Sequence, residues 1–246
     1  VKSYRDAFRA SGAGALYDAD QYRPGSYWDL QWRLEQNVLA GVVEELRGRN
    51  RLADYLDFAC GTGRVLSYVQ PNFSRTRGID VSPAMLEQAR AKCPNAELLL
   101  KDITAETGVE AEYDLITAFR FLLNAEDSLR ETVLMRLAAR LRDREARLIV
   151  NNHGSLPSYK VVSAPFGLVR RALGRRTERY LSARRTLDLL KGAGLIVERV
   201  VGLGVLPGLV ARRLGEERTL EIERWAAGSV GLSRLGVNQI YVCRRA

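Results

Sequence analysis

The chain is poor in the residues that build metal and redox sites. Its 246 residues include one His, three Cys and two Met. Cys60, Cys93 and Cys243 are far apart and odd in number, so neither a CxxC metal motif nor a disulfide framework is expected. No metal site is expected, and a reducing, cytoplasmic compartment fits. Long apolar runs are also lacking. The longest fall short of the ~20 residues that span a bilayer, and Val1-Lys2-Ser3-Tyr4-Arg5 does not read as the start of a secretory signal. Negative charge is under-represented: 29 Asp+Glu face 38 Lys+Arg, for a net charge of +9. Lysine is scarce within that excess, being confined to Lys2, Lys92, Lys101, Lys160 and Lys191.

What is present is ordinary for a soluble globular protein. Apolar residues are 46% and charged residues 27%, which excludes a disordered, fibrous or polytopic membrane chain. A chain this long buries roughly 70–75% of its unfolded surface and folds without disulfides or metal. A single domain over 1–246 is expected. The arginine-rich balance points to an acidic substrate, a membrane surface or nucleic acid as partner, or to a coding bias toward arginine.

Residues 1–50 read as a helical N-terminal lid. Its second half is amphipathic from Ser26 to about Arg47, with Trp28, Trp32, Val38, Leu39, Val42, Val43 and Leu46 near helical spacing. Ser26, three residues before Asp29, has the form of a capping box. Residues 51–154 read as a core of strands at 53–58, 77–80, 97–101, 113–119 and 146–152, separated by helices that begin near Arg64, Ser82 and Ser128. This alternation predicts an α/β fold with a doubly wound, mostly parallel sheet covered on both faces. Ligands of such sheets bind beyond the carboxyl ends of the strands. Residues 155–185 form a basic cap insert. Residues 186–246 return to the sheet with strands at 195–205 and 239–243, interrupted by a second insert at 207–236 with a helix around 217–227.

Asp57-Phe58-Ala59-Cys60-Gly61-Thr62-Gly63 follows the first core strand and opens a helix. Glycine there lets the backbone approach a ligand closely. The dinucleotide pattern G-x-G-x-x-G is not completed, because Arg64-Val65-Leu66 follows Gly63. Asp57 would repel a pyrophosphate and suits an ammonium group. Asp80 ends the next strand, placed for ribose hydroxyls, and Asp102 ends the one after. Together with Asp114 they make the expected ligand edge acidic. A Rossmann-like turn with incidental acids and a nicotinamide-dependent dehydrogenase are the competing readings.

These residues resemble the class I S-adenosylmethionine-dependent methyltransferases. The family's glycine motif, D/E-x-G-x-G-x-G, reads here Asp57-x-Ala59-x-Gly61-x-Gly63. Ala59 stands for the first glycine and is expected to keep an ordinary backbone conformation. Gly78-Ile79-Asp80-Val81-Ser82-Pro83-Ala84-Met85-Leu86 is similar to the second segment, Lys101-Asp102-Ile103 to the third, and Tyr113-Asp114-Leu115-Ile116 to the fourth strand. The resemblance covers about 54–150 and the C-terminal strand pair. It implies S-adenosyl-L-methionine as cofactor and a Rossmann-like sheet whose last strand is antiparallel. It places Asp57, Ala59, Cys60, Gly61 and Gly63 along the cofactor, with Asp80 on its ribose and Val81 and Met85 beside its adenine. It places Asp102 and Ile103 near the adenine amino group, and Ala118 and Phe119 at the methionine part. An N-terminal segment folded over the cofactor is implied as well, with Tyr22 as lid residue. Trp28 and Trp32 read as packing of the first helix onto the sheet.

The stretch Thr117 to Asn124 carries no N/D-P-P-Y/F tetrad, which argues against N-methylation of nucleic-acid bases. Neither Cys60 nor Cys93 is placed like the nucleophile of a cytosine-5-methyltransferase, and no carboxylate pair of the catechol type is identified. The expected reaction is methyl transfer to oxygen or nitrogen of a small-molecule acceptor that is natural-product, sugar- or lipid-linked. An RNA methyltransferase and a non-catalytic binder of the cofactor are the alternatives. His153, at the end of the fifth strand, is the candidate general base for a hydroxyl, against a purely structural histidine. Arg120 is a candidate for an anionic substrate group or the methionine carboxylate, against a surface ion pair. Asn124 and Asn152 are candidates to orient the acceptor. In the basic insert, 170–185 carries seven arginines against Glu178. With Phe166, Leu168, Val169, Leu173, Tyr180 and Leu181 interleaved, 166–185 suits an anionic membrane surface or an acidic acceptor, against a solvated helical cap. No RNA-binding module is recognisable, so most of the +9 is assigned to a cap beside the acceptor pocket.

Overall fold

The computed structural model describes residues 26–105, 111–153 and 181–246. Helix α1 (Tyr27–Gly48) leads into β1 (Asp54–Phe58), α2 (Arg64–Val69), β2 (Arg75–Asp80), α3 (Pro83–Lys92) and β3 (Glu97–Leu100). Then follow β4 (Leu115–Ala118), α4 (Phe121–Asn124), α5 (Asp127–Ala139) and β5 (Arg147–His153). The C-terminal part holds α6 (Ala183–Gly192), β6 (Leu195–Leu203), α7 (Gly208–Leu214), α8 (Glu216–Gly228), α9 (Val230–Ser233) and β7 (Asn238–Arg245). Helix starts follow local chemistry: Ser26, Ser82 and Ser182 each accept a hydrogen bond from the backbone N–H three residues on, those of Asp29, Met85 and Arg185.

The seven strands form one sheet in the order β3-β2-β1-β4-β5-β7-β6. The first five are parallel. Strand β7 runs antiparallel between β5 and β6, as the resemblance implied for the last strand. Successive side chains of a strand point to opposite faces, and the strands build one core on each face of the sheet. Tyr55, Leu115, Ile149, Ile240 and Val242 pack under α1 and α2. Leu56, Ile116, Leu148, Val150 and Tyr241 pack under α5 and α6. Leu34, Leu39, Val42, Val43 and Leu46 of α1 are buried. At about 2 kcal/mol each they contribute on the order of 10 kcal/mol before chain entropy is subtracted. Among the described residues no helix is long and apolar enough to cross a membrane.

The second insert is richer in helix than the sequence indicates. It holds α7 and α9 beside the expected α8. Glu223 of α8 is buried and accepts the backbone N–H groups of Gly204, Val205 and Leu206, at 2.9, 3.0 and 2.8 Å. One carboxylate thereby satisfies three donors where the chain leaves β6.

Candidate active site

The parallel strands β1, β2 and β4 end on one edge of the sheet, where a cleft with about 1040 Å³ of empty space opens. Asp57, Ala59, Cys60 and Gly61 line it from the β1 turn, Asp80, Val81 and Met85 from β2 and α3, and Asp102 and Ile103 from the turn after β3. Phe119, Arg120 and Asn124 close it after β4. Twelve of the residues expected at the site are thus brought together.

The β1 turn is sharp because three of its residues are left-handed: Ala59 at φ 54, Gly61 at φ 55 and Gly63 at φ 80. The expectation for Ala59 is therefore corrected. The backbone must reverse within five residues while Cys60 N–H donates to the carbonyl of Ile79, and this forces alanine into a conformation that costs it about 1–2 kcal/mol. Gly63 does not line the cleft. A Cβ there would meet Cys93 Sγ at 3.0 Å and Ala89 Cβ at 3.1 Å, so this glycine serves the close packing of α2 on α3.

Asp57 is fully buried at the end of β1. Thr117 Oγ1 donates to its Oδ1 at 2.6 Å, and Tyr55 Oη lies 2.7 Å from that same Thr117 hydroxyl. Oδ2 of Asp57 is buried with no hydrogen-bond partner among the described residues. Burial pushes the carboxyl up to about 7, against the lowering effect of Thr117 and Arg64. Asp80 accepts from Gly61 N–H at 2.8 Å and Ser82 N–H at 2.9 Å, so it builds the turn as well as facing the cleft. Burial raises its carboxyl too, opposed by these backbone donors. Asp102 Oδ1 accepts from the N–H and hydroxyl of Thr104. Burial also raises the thiols of Cys60 and of Cys93, the latter to about 11, and neither is a thiolate nucleophile at neutral pH.

Asp114 does not belong to this edge. It lies at the amino end of β4, where its Oδ2 accepts from the N–H groups of Ala53 and Asp54 and its Oδ1 from Arg142 at 2.5 Å. Four residues along a parallel strand separate the two ends of the sheet, and Asp114 stands on the wrong one.

A polar network flanks the cleft on the α1 side. Arg120 is left-handed at φ 59, and its N–H donates to Asn151 Oδ1 at 2.6 Å while its carbonyl accepts from Asn124 at 2.7 Å. Asn124 therefore shapes the turn that carries Arg120. Glu35 of α1 is fully buried beside Arg64, Arg120, His153 and Asn238. Burial alone would raise its carboxyl. Arg120, His153 and Arg64 outweigh that and hold it well below the usual carboxylate range. Arg64 lies over the ring of Trp32 at 4.3 Å, and Arg120 over that of Trp28 at 5.2 Å.

His153 is buried outside the cleft lining, its ring 5.6 Å from that of Trp28. Trp28 thus belongs to the polar network and is not merely helix packing. Asn152 does not reach the cleft: it donates to the Leu181 carbonyl and the Thr186 hydroxyl, tying α6 to the sheet. Ala118 is buried in the core beneath the cleft. Tyr22 and most of 166–185 lie outside the described residues. Of the insert's end, Arg185 pairs with exposed Glu131.

Glu35, Arg64, Thr117, Asn151 and Asn238 are the participants that sequence reading missed. One signal was available: Gln31 and Glu35 interrupt the apolar face of α1 at helical spacing, and both are buried.

The family described as "Methyltransferase domain" matches residues 56–144. Human methyltransferase-like protein 27 is 36% identical over 83 residues, covering 32% of this chain and 34% of its own. Malonyl-[acyl-carrier protein] O-methyltransferase of Salmonella typhimurium is 34% identical over 83 residues, covering 34% of this chain and 33% of its own. The matched stretch thus spans about a third of these curated relatives. In fold, the chain is similar to magnesium protoporphyrin IX methyltransferase from Synechocystis PCC 6803 with bound S-adenosylhomocysteine. The TM-score is 0.64 at 16% identity, over 98% of this chain and 97% of that one. With the cleft, the glycine turn and the acid-tipped strands in place, residues 56–144 match the methyltransferase-domain family, and the chain shares the fold of an S-adenosylmethionine-dependent methyltransferase.

Proposed function

We propose that this protein transfers a methyl group from S-adenosyl-L-methionine to oxygen or nitrogen of a small-molecule acceptor. The observation that carries the reading is Asp57 Oδ2: a buried carboxylate oxygen without a partner among the described residues, on a residue that lines the cleft at the glycine turn. An α-ammonium group satisfies it. Arg64 and Arg120, two cationic side chains of the cleft, would face the α-carboxylate. Asp80 would take the ribose, Val81 and Met85 the adenine faces, and Asp102 the adenine amino group.

A bound cofactor of this kind supplies an electrophilic methyl on a sulfonium. The protein's share is proximity and exclusion of water. A neutral amine acceptor needs only placement. A hydroxyl acceptor needs a base as well as placement, and Arg120 and Asn124, which line the cleft, would orient it. The relatives named above include an O-methyltransferase of a carrier-linked acid, which supports a carboxylate or hydroxyl acceptor of metabolic size. The three free, buried thiols suit a reducing cytoplasmic setting.

Calorimetry with S-adenosylhomocysteine tests the reading. Wild-type protein is expected to bind, and Asp80→Ala to bind about 10- to 100-fold more weakly, the loss of charge-assisted hydrogen bonds. Absence of binding by the folded wild type overturns it.

A further inference from the structure

Strand β4 carries one hydroxyl in a buried apolar run. Leu115, Ile116, Thr117 and Ala118 are all buried, and a hydroxyl there costs free energy unless it is bonded. In the parallel ladder Thr117 stands in register with Asp57 of β1, as Leu115 does with Tyr55. In-register residues of adjacent strands share a face, and so do residues two apart along one strand. Tyr55, Asp57 and Thr117 therefore lie together on the face covered by α1 and α2, with Tyr55 and Thr117 at 0% and Asp57 at 2% exposure.

The direction of the hydrogen bonds follows from counting protons. A threonine hydroxyl has one hydrogen. Thr117 donates it to Asp57 Oδ1 at 2.6 Å, so tyrosine is the donor in the 2.7 Å contact between Tyr55 Oη and Thr117 Oγ1. Burial holds the Tyr55 phenol well above its ordinary value, so it keeps that hydrogen. The chain runs from Tyr55 to Thr117 to Asp57, and each bond polarises the next. It ends on one carboxylate oxygen, while Oδ2 has no hydrogen-bond partner among the described residues. A pair that served the core alone would leave neither oxygen bare, and a valine at 117 would have the same shape. Asp57 lines the cleft, whereas Thr117 and Tyr55 do not. The two hydroxyls therefore act on a ligand through Asp57.

We propose that Thr117, backed by Tyr55, is a positioning residue: it holds Oδ1 of Asp57 and thereby presents Oδ2 to the α-ammonium group of the cofactor. This rests on the reading of the cleft as an S-adenosylmethionine site. Removing the donated bond has two consequences. The carboxyl group is free to turn about its Cβ–Cγ bond, and its ionised form loses a donor. Burial opposes ionisation of Asp57 most strongly, Thr117 of β4, Arg64 and the Leu66 N–H of α2 favour it, and Asp80 of β2 opposes it. The thiols of Cys60, in the turn, and Cys93, after α3, are raised by burial and neutral. Without Thr117 the balance moves toward the protonated acid, which cannot pair with an ammonium group.

Calorimetry across the neutral pH range tests this with two ligands, S-adenosylhomocysteine and 5′-methylthioadenosine. Wild-type affinity for S-adenosylhomocysteine is expected to rise as Asp57 ionises and to level off above neutral pH. In Thr117→Val the midpoint of that rise is expected about one pH unit higher, with affinity at neutral pH about 5- to 10-fold lower. Thr117→Ser keeps the hydroxyl and is expected to match wild type. Tyr55→Phe removes only the outer donor and is expected to move the midpoint the same way by less. 5′-Methylthioadenosine has neither ammonium nor carboxylate, so its affinity is expected to be the same in all four proteins. A Thr117 that only packs the core would weaken both ligands by one factor and leave the midpoint in place. That result, or wild-type binding by Thr117→Val, overturns the proposal. Should Thr117→Val not fold, Tyr55→Phe decides alone, and an unmoved midpoint overturns the proposal. A folded wild type that binds neither ligand overturns the functional reading and this proposal with it, whereas binding by wild type without a response in the variants overturns this proposal alone.

Discussion

A carboxylate sealed at a strand end with one oxygen partnered and one orphaned holds its proton into the neutral range. Asp57 is held at about 7, mainly by burial, against 3.8 as its ordinary value. Between those pH values the folded protein keeps a proton that the unfolded chain has lost, so this group's contribution to stability falls as pH rises from about 4 to about 7. Thermal unfolding of Asp57→Asn is expected to show the complement: the variant gains on wild type as the pH moves from 5 to 8. Binding of an ammonium-bearing ligand needs the ionised form. Calorimetry near pH 6 in buffers of different ionisation heat should therefore show about one proton released on S-adenosylhomocysteine binding, and none from Asp57→Asn. Ala59 offers a second residue-scale consequence. Its left-handed backbone costs about 1–2 kcal/mol and glycine entropy returns about 0.5–1 of that. Ala59→Gly is expected to raise stability by about 0.5–1 kcal/mol in urea titration, with cofactor affinity retained.

Elements meet here through glycines whose surroundings differ sharply. A Cβ on Gly202 of β6 would fall 1.6 Å from the carbonyl oxygen of Ser233. Strand and helix α9 must separate to admit it, so Gly202→Ala is expected to cost more than about 3 kcal/mol and to lower the melting temperature accordingly. Gly41 in α1 has nothing within 4 Å of its Cβ position. Gly41→Ala is expected to stabilise by about 0.5–1 kcal/mol through helix propensity alone. The same contrast explains which elements were legible in the sequence. Alternating apolar strands, the caps at Ser26 and Ser82 and the Asp57–Gly63 turn are local patterns, and they mark elements that the structure contains. The network through Glu35, Arg120, Asn151 and Asn238 joins residues up to 203 positions apart, and no local pattern encodes such a partnership. Ala59 and Gly63 were misread for a related reason: their roles depend on the β2 carbonyl and on α3, which pack against the turn only in the folded sheet.

The molecule as a whole keeps its two charge clusters at opposite ends of the sheet. At the amino end, Asp54 accepts a bidentate pair from Arg75 at 2.6 and 2.7 Å, Asp114 pairs with Arg142, and Arg51 bridges to Asp143. These pairs clamp β1, β2, β4 and the turn before β5, and they contain no orphaned oxygen among the described residues. At the carboxyl end, Asp57 keeps an unfilled oxygen, and Arg120 and Ala59 keep strained backbones. A satisfied network stabilises, whereas strain and unfilled valence are retained where a ligand completes them. The two poles should therefore separate under mutation. Asp114→Asn weakens the Arg142 pair, though Arg142 keeps Asp54, and is expected to cost about 1–3 kcal/mol, while the variant binds S-adenosylhomocysteine as wild type does. Asp57→Asn is expected to do the reverse, losing ligand affinity while keeping or raising the melting temperature at pH 8. Measuring both quantities on both variants checks the division directly. A matched loss of stability and affinity in either one would mean that the sheet transmits strain from pole to pole, and that the amino-end clamp belongs to the working of the site.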